Sequence, residues 1–244
     1  MIKAVIFDLD GTLIQTEVLK AQSYALAISQ LAQHEITEQT VLDCFNEYVG
    51  LSRQEVVAGL AMRFKDVLSR HLNTNDLEQI GQQLINKRLE EYRKILDDSK
   101  LLAKHFCSYT LGLFHQLLED GFQVVLATMS HLPEAKKVTE TMGIFNKFHY
   151  VFTRDDVLEG KPAPDIYNLA RATLKLAPKE CLVIEDSVNG ILAAQNAHMP
   201  VFAVTNSITR RAVHDCQLLE ASFIVDDLTT LQTRVYHYIN TVTS

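Results

Sequence analysis

The 244-residue sequence contains no tryptophan, only four cysteines, and no apolar run that approaches the length of a membrane span. A helix needs about 20 apolar residues to cross a bilayer, so the sequence predicts no membrane association. The cysteines are widely spaced and form no CxxC pair, which argues against a zinc site and a disulfide framework. We expect reduced thiols and, because the first residues lack the pattern of a secretion signal, a cytoplasmic location.

Basic residues are also scarce, since 23 lysines and arginines stand against 30 aspartates and glutamates and give a formal net charge of -7. Nucleic acid binds to a basic face, so this charge argues against nucleic acid as a partner. A small anionic substrate is not excluded, because a cleft with a metal ion and one lysine is locally positive. The length permits a substantial core, and we take a monomer as the default state.

Six short runs rich in β-branched residues alternate with helix-length segments along most of the chain. Most runs are continuous apolar stretches, the pattern of strands buried on both faces of a parallel sheet. Their alternation with helices indicates right-handed βαβ units, so we predict a doubly wound α/β domain. The predicted strands are 2–7, 122–127, 149–152, 181–184, 201–204 and 223–225, and helices are predicted at 133–142, 164–174 and 188–197.

The segment 16–102 has a different pattern. It contains no convincing strand and predicts amphipathic helices, with one at 52–68 and another at 76–96. A helical block inserted after the first strand is typical of a lid. We therefore predict an all-helical cap domain at 16–102 and an α/β core domain at 1–15 and 103–244.

Four groups of polar residues lie at or just after the ends of predicted strands. The carboxyl ends of strands in an open α/β sheet are where ligands bind, so the groups can converge on one cleft. Carboxylates can hold a metal ion, while a hydroxyl and an ammonium can hold a phosphate. A simple turn would account for the first group alone, but not for all four. The groups are Asp8 with Asp10, Thr128, Lys161, and Glu185 with Asp186.

On these motifs the chain resembles the haloacid dehalogenase superfamily, in particular its phosphatase and phosphomutase branch with an inserted helical cap. The resemblance covers nearly the whole length and includes the stretches 155–167 and 185–194. It is most detailed for the beta-phosphoglucomutase-like and pseudouridine-5'-phosphatase-like groups. The resemblance implies a Mg²⁺-dependent phosphoric monoester hydrolase that acts on a small phosphorylated metabolite.

The resemblance also implies a role for each motif residue. Asp8 is the nucleophile that forms an aspartyl-phosphate, and Asp10 is the general acid and base. Lys161 and Thr128 stabilise the phosphoryl oxygens during catalysis, and Glu185 contacts the metal ion directly or through water. The implied Mg²⁺ ligands are Asp8, the backbone of Asp10, Glu185 and Asp186, and the implied phosphate ligands are Thr128, Lys161 and backbone amides near Leu9 and Thr12.

Three residues of the predicted cap are further candidates for substrate binding. Arg53 lies in Gly50-Leu51-Ser52-Arg53, which resembles a cap loop whose arginine holds a substrate phosphate, although an exposed residue at a helix start is the alternative. Glu17 and Lys20 follow the first motif at positions that often face the cleft in this superfamily.

Two departures from the superfamily pattern are informative. Lys20 stands where the mutase group has a histidine that couples cap closure to proton transfer, which favours a phosphatase over a mutase. His198 replaces the glycine that typically ends the helix after Glu185 and Asp186. We expect this position to adopt the left-handed conformation common at helix C-termini.

Three functions are therefore considered. The first is a phosphatase for a sugar phosphate, phosphoglycolate or a nucleoside monophosphate, and the second is a phosphohexomutase of the beta-phosphoglucomutase type. The third is a non-catalytic binding protein, against which the intact site argues. Dehalogenation is disfavoured because dehalogenases lack the aspartate that is present here as Asp10.

Overall fold

The computed structural model describes residues 1–48 and 51–242. The chain divides into two compact units, one of Met1–Gln15 with Ala103–Ser244 and one of Thr16–Leu102. The first is an α/β unit, and the second consists of the helical segment between the first two strands. This architecture confirms the predicted fold class.

One sheet of six parallel strands forms the centre of the α/β unit. The strands are β1 (Ala4–Phe7), β2 (Gln123–Ala127), β3 (Tyr150–Phe152), β4 (Cys181–Glu185), β5 (Val201–Val204) and β6 (Ile224–Val225). Their order across the sheet is β3-β2-β1-β4-β5-β6, so the chain builds outward from β1 in both directions. The register pairs Phe7 with Leu126 on one side and with Ile184 on the other. The carboxyl ends of β1, β2 and β4 therefore lie side by side.

The helical unit has its own apolar core, formed by residues such as Ile28, Leu60 and Leu84, which are fully buried. No helix among the residues described is both long and apolar enough to cross a membrane. The helices of this segment are α1 (Glu17–Leu31), α2 (Glu38–Phe45), α3 (Arg53–Arg63), α4 (Lys65–Leu72), α5 (Leu77–Asp97) and α6 (Ser99–Ala103), the last of which ends at the boundary with the α/β unit.

The prediction of one continuous helix at 52–68 is wrong. The helix ends at Arg63, and a second helix begins at Lys65 after Phe64, which has φ -105° and ψ 16°. Phe64 packs against the core of the unit and Leu68 is fully buried within it. Tertiary packing thus overrides a sequence that contains neither proline nor glycine at this point.

Helices of the α/β unit pack against the sheet through small and β-branched residues. Ile166 and Ala170 of one helix and Ile191 and Ala194 of another join the strand residues in one buried cluster. The ring of Phe114 meets that of Phe7 at a centroid distance of 5.9 Å. These helices are α7 (Ser108–Glu119), α8 (Leu132–Thr141), α9 (Asp165–Leu174), α10 (Val188–Asn196), α11 (Arg210–Asp215) and α12 (Leu231–Thr241).

The end of α10 confirms the expected conformation of His198, which has φ +59°. The amide of His198 donates to the carbonyl of Gln195, and the amide of Met199 donates to that of Ala194. This pair of hydrogen bonds is a Schellman motif, in which the left-handed residue is usually glycine. The side chain of His198 is exposed, so it adds strain without compensating burial.

We expect His198→Gly to stabilise the protein, because glycine adopts the left-handed conformation without the clash of a β-carbon. The free energy of unfolding should rise by about 0.5–1 kcal/mol, measured by urea denaturation. His198→Ala keeps the β-carbon and serves as the control, with no gain expected. A glycine variant that is less stable than the alanine variant would contradict this explanation.

Candidate active site

The ends of two adjacent strands bring the predicted carboxylates together. Asp8 directly follows β1, Glu185 is the last residue of β4, and Asp186 comes next. The amide of Asp8 donates to the carbonyl of Ile184 at 3.0 Å, which fixes the two strand ends side by side. Asp8, Glu185 and Asp186 are only 6 %, 1 % and 4 % exposed, so the three acidic side chains share a buried site.

Lys161 reaches this site from the loop between β3 and α9. Its ammonium donates to Asp8 Oδ1 at 2.7 Å and to Glu185 Oε1 at 2.6 Å. A third hydrogen bond, of 3.0 Å, goes to the carbonyl of Ala127 at the end of β2. An ammonium has three N–H donors, so these bonds satisfy all of them. Lys161 is therefore a buried cation that links three strand ends.

Glu185 receives hydrogen bonds on both carboxylate oxygens. Oε1 accepts from Lys161 and, at 3.0 Å, from the hydroxyl of Tyr167. Oε2 accepts from the amides of Asp186 and Ser187 at 2.9 and 3.1 Å. The carboxylate also lies against Gly190, where an added β-carbon would come within 1.8 Å of Oε1. Glycine is thus required at this position of α10 for the approach of Glu185.

The buried charges shift one another's pKa values. Burial raises the pKa of Asp8 to about 8, with further increases from Glu185 and Asp10, although Lys161 opposes them. Burial also disfavours the ionised form of Glu185, but the Lys161 ammonium and the backbone amides of Ser187 and Asp186 together outweigh it and lower the pKa of that carboxyl. Burial opposes the charge of Lys161 too, yet the carboxylates of Asp8 and Glu185 hold its pKa well above the ordinary value.

The three carboxylates form a group that is consistent with a metal site. Asp8, Glu185 and Asp186 each offer an oxygen, and these oxygens lie within 4.8 Å of one another. When all three are ionised, the charge of Lys161 leaves two negative charges uncompensated, which is costly in a buried site. A divalent cation would compensate this charge. Hard cations prefer oxygen ligands of this kind.

Asp10 lies beside this group but has a different partner. The hydroxyl of Ser130 donates to Asp10 Oδ2 at 2.5 Å. The amide of Ser130 in turn donates to the hydroxyl of Thr128, which is fully buried just after β2. The loop after β2 therefore contributes two residues at this point. Thr128 lies on the loop, and Ser130 of the same loop binds the carboxylate of Asp10.

Leu9 and Thr12 lie in the turn that follows Asp8. The carbonyl of Leu9 accepts the amides of Leu13 at 2.8 Å and Thr12 at 3.3 Å. Gly11 has φ +84°, and an added β-carbon there would overlap the carboxylate of Asp186. The turn thus packs closely against the carboxylate of Asp186. The hydroxyl of Thr12 is buried and has no hydrogen-bond partner within the described part of the chain.

The other three predicted substrate ligands belong to the helical unit. Lys20 donates to Glu17 at 2.9 Å within the first turns of α1. Arg53 is the first residue of α3, whose N-terminus is capped by Ser52 and Glu55. Gly50 of the same predicted loop lies outside the described residues.

Glu17, Lys20 and Arg53 also influence the pKa of Tyr24, a buried residue of the helical unit. Burial raises the pKa of Tyr24, while Arg88, Arg53 and Lys20 oppose the rise and Glu17 adds to it. Glu17, Lys20 and Arg53 are thus near enough to Tyr24 to influence its charge. Their role in substrate binding stays a prediction.

Three polar residues of the site were not predicted as functional. Tyr167 contacts Glu185 and Ser130 contacts Asp10, while the side-chain amide of Asn206 donates to Asp186 Oδ2 at 3.2 Å. The signal for Asn206 was available, since it lies two residues after β5 at the same edge of the sheet. Ser130 lies two residues after Thr128, so the same rule extends to it.

Comparison with known proteins gives a consistent family. Residues 2–198 match the model of a hydrolase family described as haloacid dehalogenase-like hydrolase. Beta-phosphoglucomutase of Bacillus subtilis is 30 % identical over 202 residues, which cover 83 % of this chain and 82 % of the relative. Phosphoglycolate phosphatase of Vibrio parahaemolyticus is 29 % identical over 208 residues, 84 % of each chain. The crystal structure of beta-phosphoglucomutase from Clostridium difficile has the same fold, with a TM-score of 0.64 and 23 % identity over 98 % of this chain and 99 % of that one.

The raised pKa of Asp8 predicts a specific pH dependence of stability in the absence of metal. In the unfolded chain Asp8 ionises near 3.8, whereas in the folded protein it keeps its proton up to about pH 8. Its contribution to stability is present below the lower value and is lost as the pH rises toward the higher one. Asp8→Asn carries no such proton, so the variant should gain stability relative to the wild type between these pH values.

Urea denaturation in EDTA at several pH values between 4 and 8 measures this difference. Other titrating groups are common to both proteins, so they largely cancel in the comparison. Saturating Mg²⁺ should stabilise the wild type at the upper end of the range and reduce the advantage of Asp8→Asn. A stability difference that does not change with pH would show that Asp8 is ionised in the metal-free protein.

Proposed function

The chain belongs to the haloacid dehalogenase-like hydrolases, in the branch with a helical cap, and from this premise we propose that it is a Mg²⁺-dependent phosphatase of a small phosphorylated metabolite. One observation carries the proposal. The carboxylate of Asp8 is buried beside the ammonium of Lys161 and within a group of carboxylate oxygens, including Asp186, that could hold a metal ion. The proposed nucleophile, a cation and a candidate metal site thus meet at one point.

Asp8 is the proposed nucleophile of the first step. An oxygen of its carboxylate attacks phosphorus, and the bond from phosphorus to the substrate oxygen breaks. An aspartyl-phosphate forms on Asp8, and the substrate leaves as an alcohol once its oxygen gains a proton. Lys161 lies 2.7 Å from the attacking carboxylate, so its charge offsets the repulsion between that carboxylate and an anionic phosphate.

Asp10 is the proposed source of that proton. Its carboxyl protonates the leaving oxygen, and the resulting carboxylate then takes a proton from the water that hydrolyses the aspartyl-phosphate. Inorganic phosphate leaves, and both aspartates return to their starting states. The hydroxyl of Ser130, at 2.5 Å from Asp10 Oδ2, is placed to orient the carboxyl for this exchange.

Asp8, Asp186 and the backbone of Asp10 are the proposed ligands of Mg²⁺, with Glu185 in contact directly or through water. When bound, Mg²⁺ supplies positive charge to the phosphoryl oxygens and keeps Asp8 ionised at neutral pH. Thr128 and the amides near Leu9 and Thr12 are the proposed contacts for the remaining phosphoryl oxygens. The buried hydroxyls of Thr128 and Thr12 lie on the two loops that would surround that group.

A phosphohexomutase is the second candidate, because beta-phosphoglucomutase of Bacillus subtilis is among the relatives. In that reaction the phosphoryl group on Asp8 returns to a sugar rather than to water. Lys20 argues against it, since the mutase group has histidine at this position. The relatives include a phosphoglycolate phosphatase and a beta-phosphoglucomutase. Phosphoglycolate and sugar phosphates are for this reason the first substrates to examine, and nucleoside monophosphates the next.

Phosphate release from a panel of these compounds tests the proposed function. The purified chain should release inorganic phosphate from at least one compound with Mg²⁺ and from none in EDTA. Incubation with beta-glucose 1-phosphate and its bisphosphate separates the two candidates, because a mutase accumulates glucose 6-phosphate. A chain that hydrolyses no member of a broad panel would rule out the phosphatase, and metal-independent hydrolysis would rule out the role of Mg²⁺.

Asp8→Asn should reduce turnover of the best substrate by a factor of about 10³ or more, because an amide cannot form the aspartyl-phosphate. Asp215→Asn is the matched control, since Asp215 is an exposed carboxylate of the same unit and pairs with Arg211 on α11. Steady-state kinetics on both variants provides the measurement. Activity of Asp8→Asn within tenfold of the wild type would exclude Asp8 as the nucleophile.

A further inference from the structure

Tyr167 contacts the site but has no role in the proposed mechanism. It lies on α9 with its side chain fully buried. Its hydroxyl donates to Glu185 Oε1 at 3.0 Å, and its ring lies beneath the ammonium of Lys161 at 5.0 Å from the centroid. One side chain therefore contacts both the acidic and the basic member of the buried ion pair.

The hydroxyl of Tyr167 acts as a donor. An ionised carboxylate only accepts hydrogen bonds, so in the contact with Glu185 Oε1 the phenol is the donor. Glu185 Oε2 is already anchored by the backbone amides of Asp186 and Ser187. Oε1 is held by Lys161 and Tyr167, and Lys161 is shared with Asp8. Tyr167 is thus the partner of Oε1 that is not shared with the nucleophile.

From these contacts we infer that Tyr167 is a positioning residue that orients Glu185 within the metal-binding carboxylates. The inference rests on the proposed function, because it takes the group of Asp8, Glu185 and Asp186 as the Mg²⁺ site. Without the hydroxyl, the carboxylate of Glu185 is held at Oε1 by Lys161 alone and can rotate about its anchored oxygen. Groups that orient metal ligands in this way typically change metal affinity by about 10–100-fold when they are removed.

The aromatic ring of Tyr167 contacts the ammonium of Lys161 independently of the hydroxyl. A cation over an aromatic face is stabilised by the ring, most strongly where water is excluded. Phenylalanine keeps this contact with Lys161 and loses only the hydrogen bond to Glu185. Tyr167→Phe therefore isolates the orienting effect of the hydroxyl.

Calorimetric titration of the full-length protein with Mg²⁺, without substrate, tests the inference. We expect the dissociation constant of Tyr167→Phe to rise about tenfold, at the lower end of the range for such residues. Ile166→Val, a buried change on the same helix, controls for packing. Tyr236→Phe controls for the loss of a tyrosine hydroxyl bonded to a carboxylate elsewhere, since Tyr236 donates to Asp120. Both controls should bind Mg²⁺ within twofold of the wild type.

If Tyr167→Phe does not fold, 4-fluorophenylalanine in place of Tyr167 fills the volume of the hydroxyl, cannot donate, and gives the same comparison. Wild-type affinity in either protein overturns the inference, as does an equal loss in Ile166→Val. Because the titration needs no substrate, a wild type that binds Mg²⁺ but hydrolyses nothing refutes the proposed function and leaves this comparison intact. A wild type that binds no Mg²⁺ overturns both.

Discussion

The hydrogen bonds of the Lys161 ammonium to Asp8 and Glu185 are the interaction on which the rest of the site depends. An isolated buried ion is strongly unfavourable, and a buried pair persists only when its remaining donors and acceptors are satisfied. Here the third ammonium proton bonds to the carbonyl of Ala127, and Glu185 accepts bonds at both oxygens. The pair nevertheless leaves acidic charge in excess. That excess is the physical reason for which a divalent cation is proposed at this point.

The topology of the sheet makes this concentration of charge possible. Because β1 lies between β2 and β4, the carboxyl ends of these three strands lie side by side. They bring Asp8, Thr128 and Glu185 into a small volume. Gly11 and Gly190 then allow the loop and helix backbones to approach the carboxylates of Asp186 and Glu185 more closely than any β-carbon would permit. The strands β1, β4 and β5 are buried along their length, and their only polar residue is Glu185 at the end of β4.

The sequence was sufficient for the sheet and for the strand-end residues, because both follow from local patterns: apolar runs for the strands, and polar residues directly after them. It was insufficient where the outcome depends on contacts between distant segments. The break at Phe64 reflects the packing of the helical unit, and nothing in the local sequence marks it. Ser130 meets Asp10 across 120 residues of sequence, and Tyr167 meets Glu185 across 18, so their roles become visible only in the folded chain.

Acidic groups from two strand ends are proposed to share one divalent cation, which would allow Asp8 to approach an anionic phosphate. The most direct measurement is the anomalous scattering of Mn²⁺ in a crystal of the wild-type protein, with Mn²⁺ in place of Mg²⁺. We predict one ion bonded to the carboxylates of both Asp8 and Asp186. A protein that takes up the ion elsewhere, or that binds it through Asp186 without Asp8, would contradict the account.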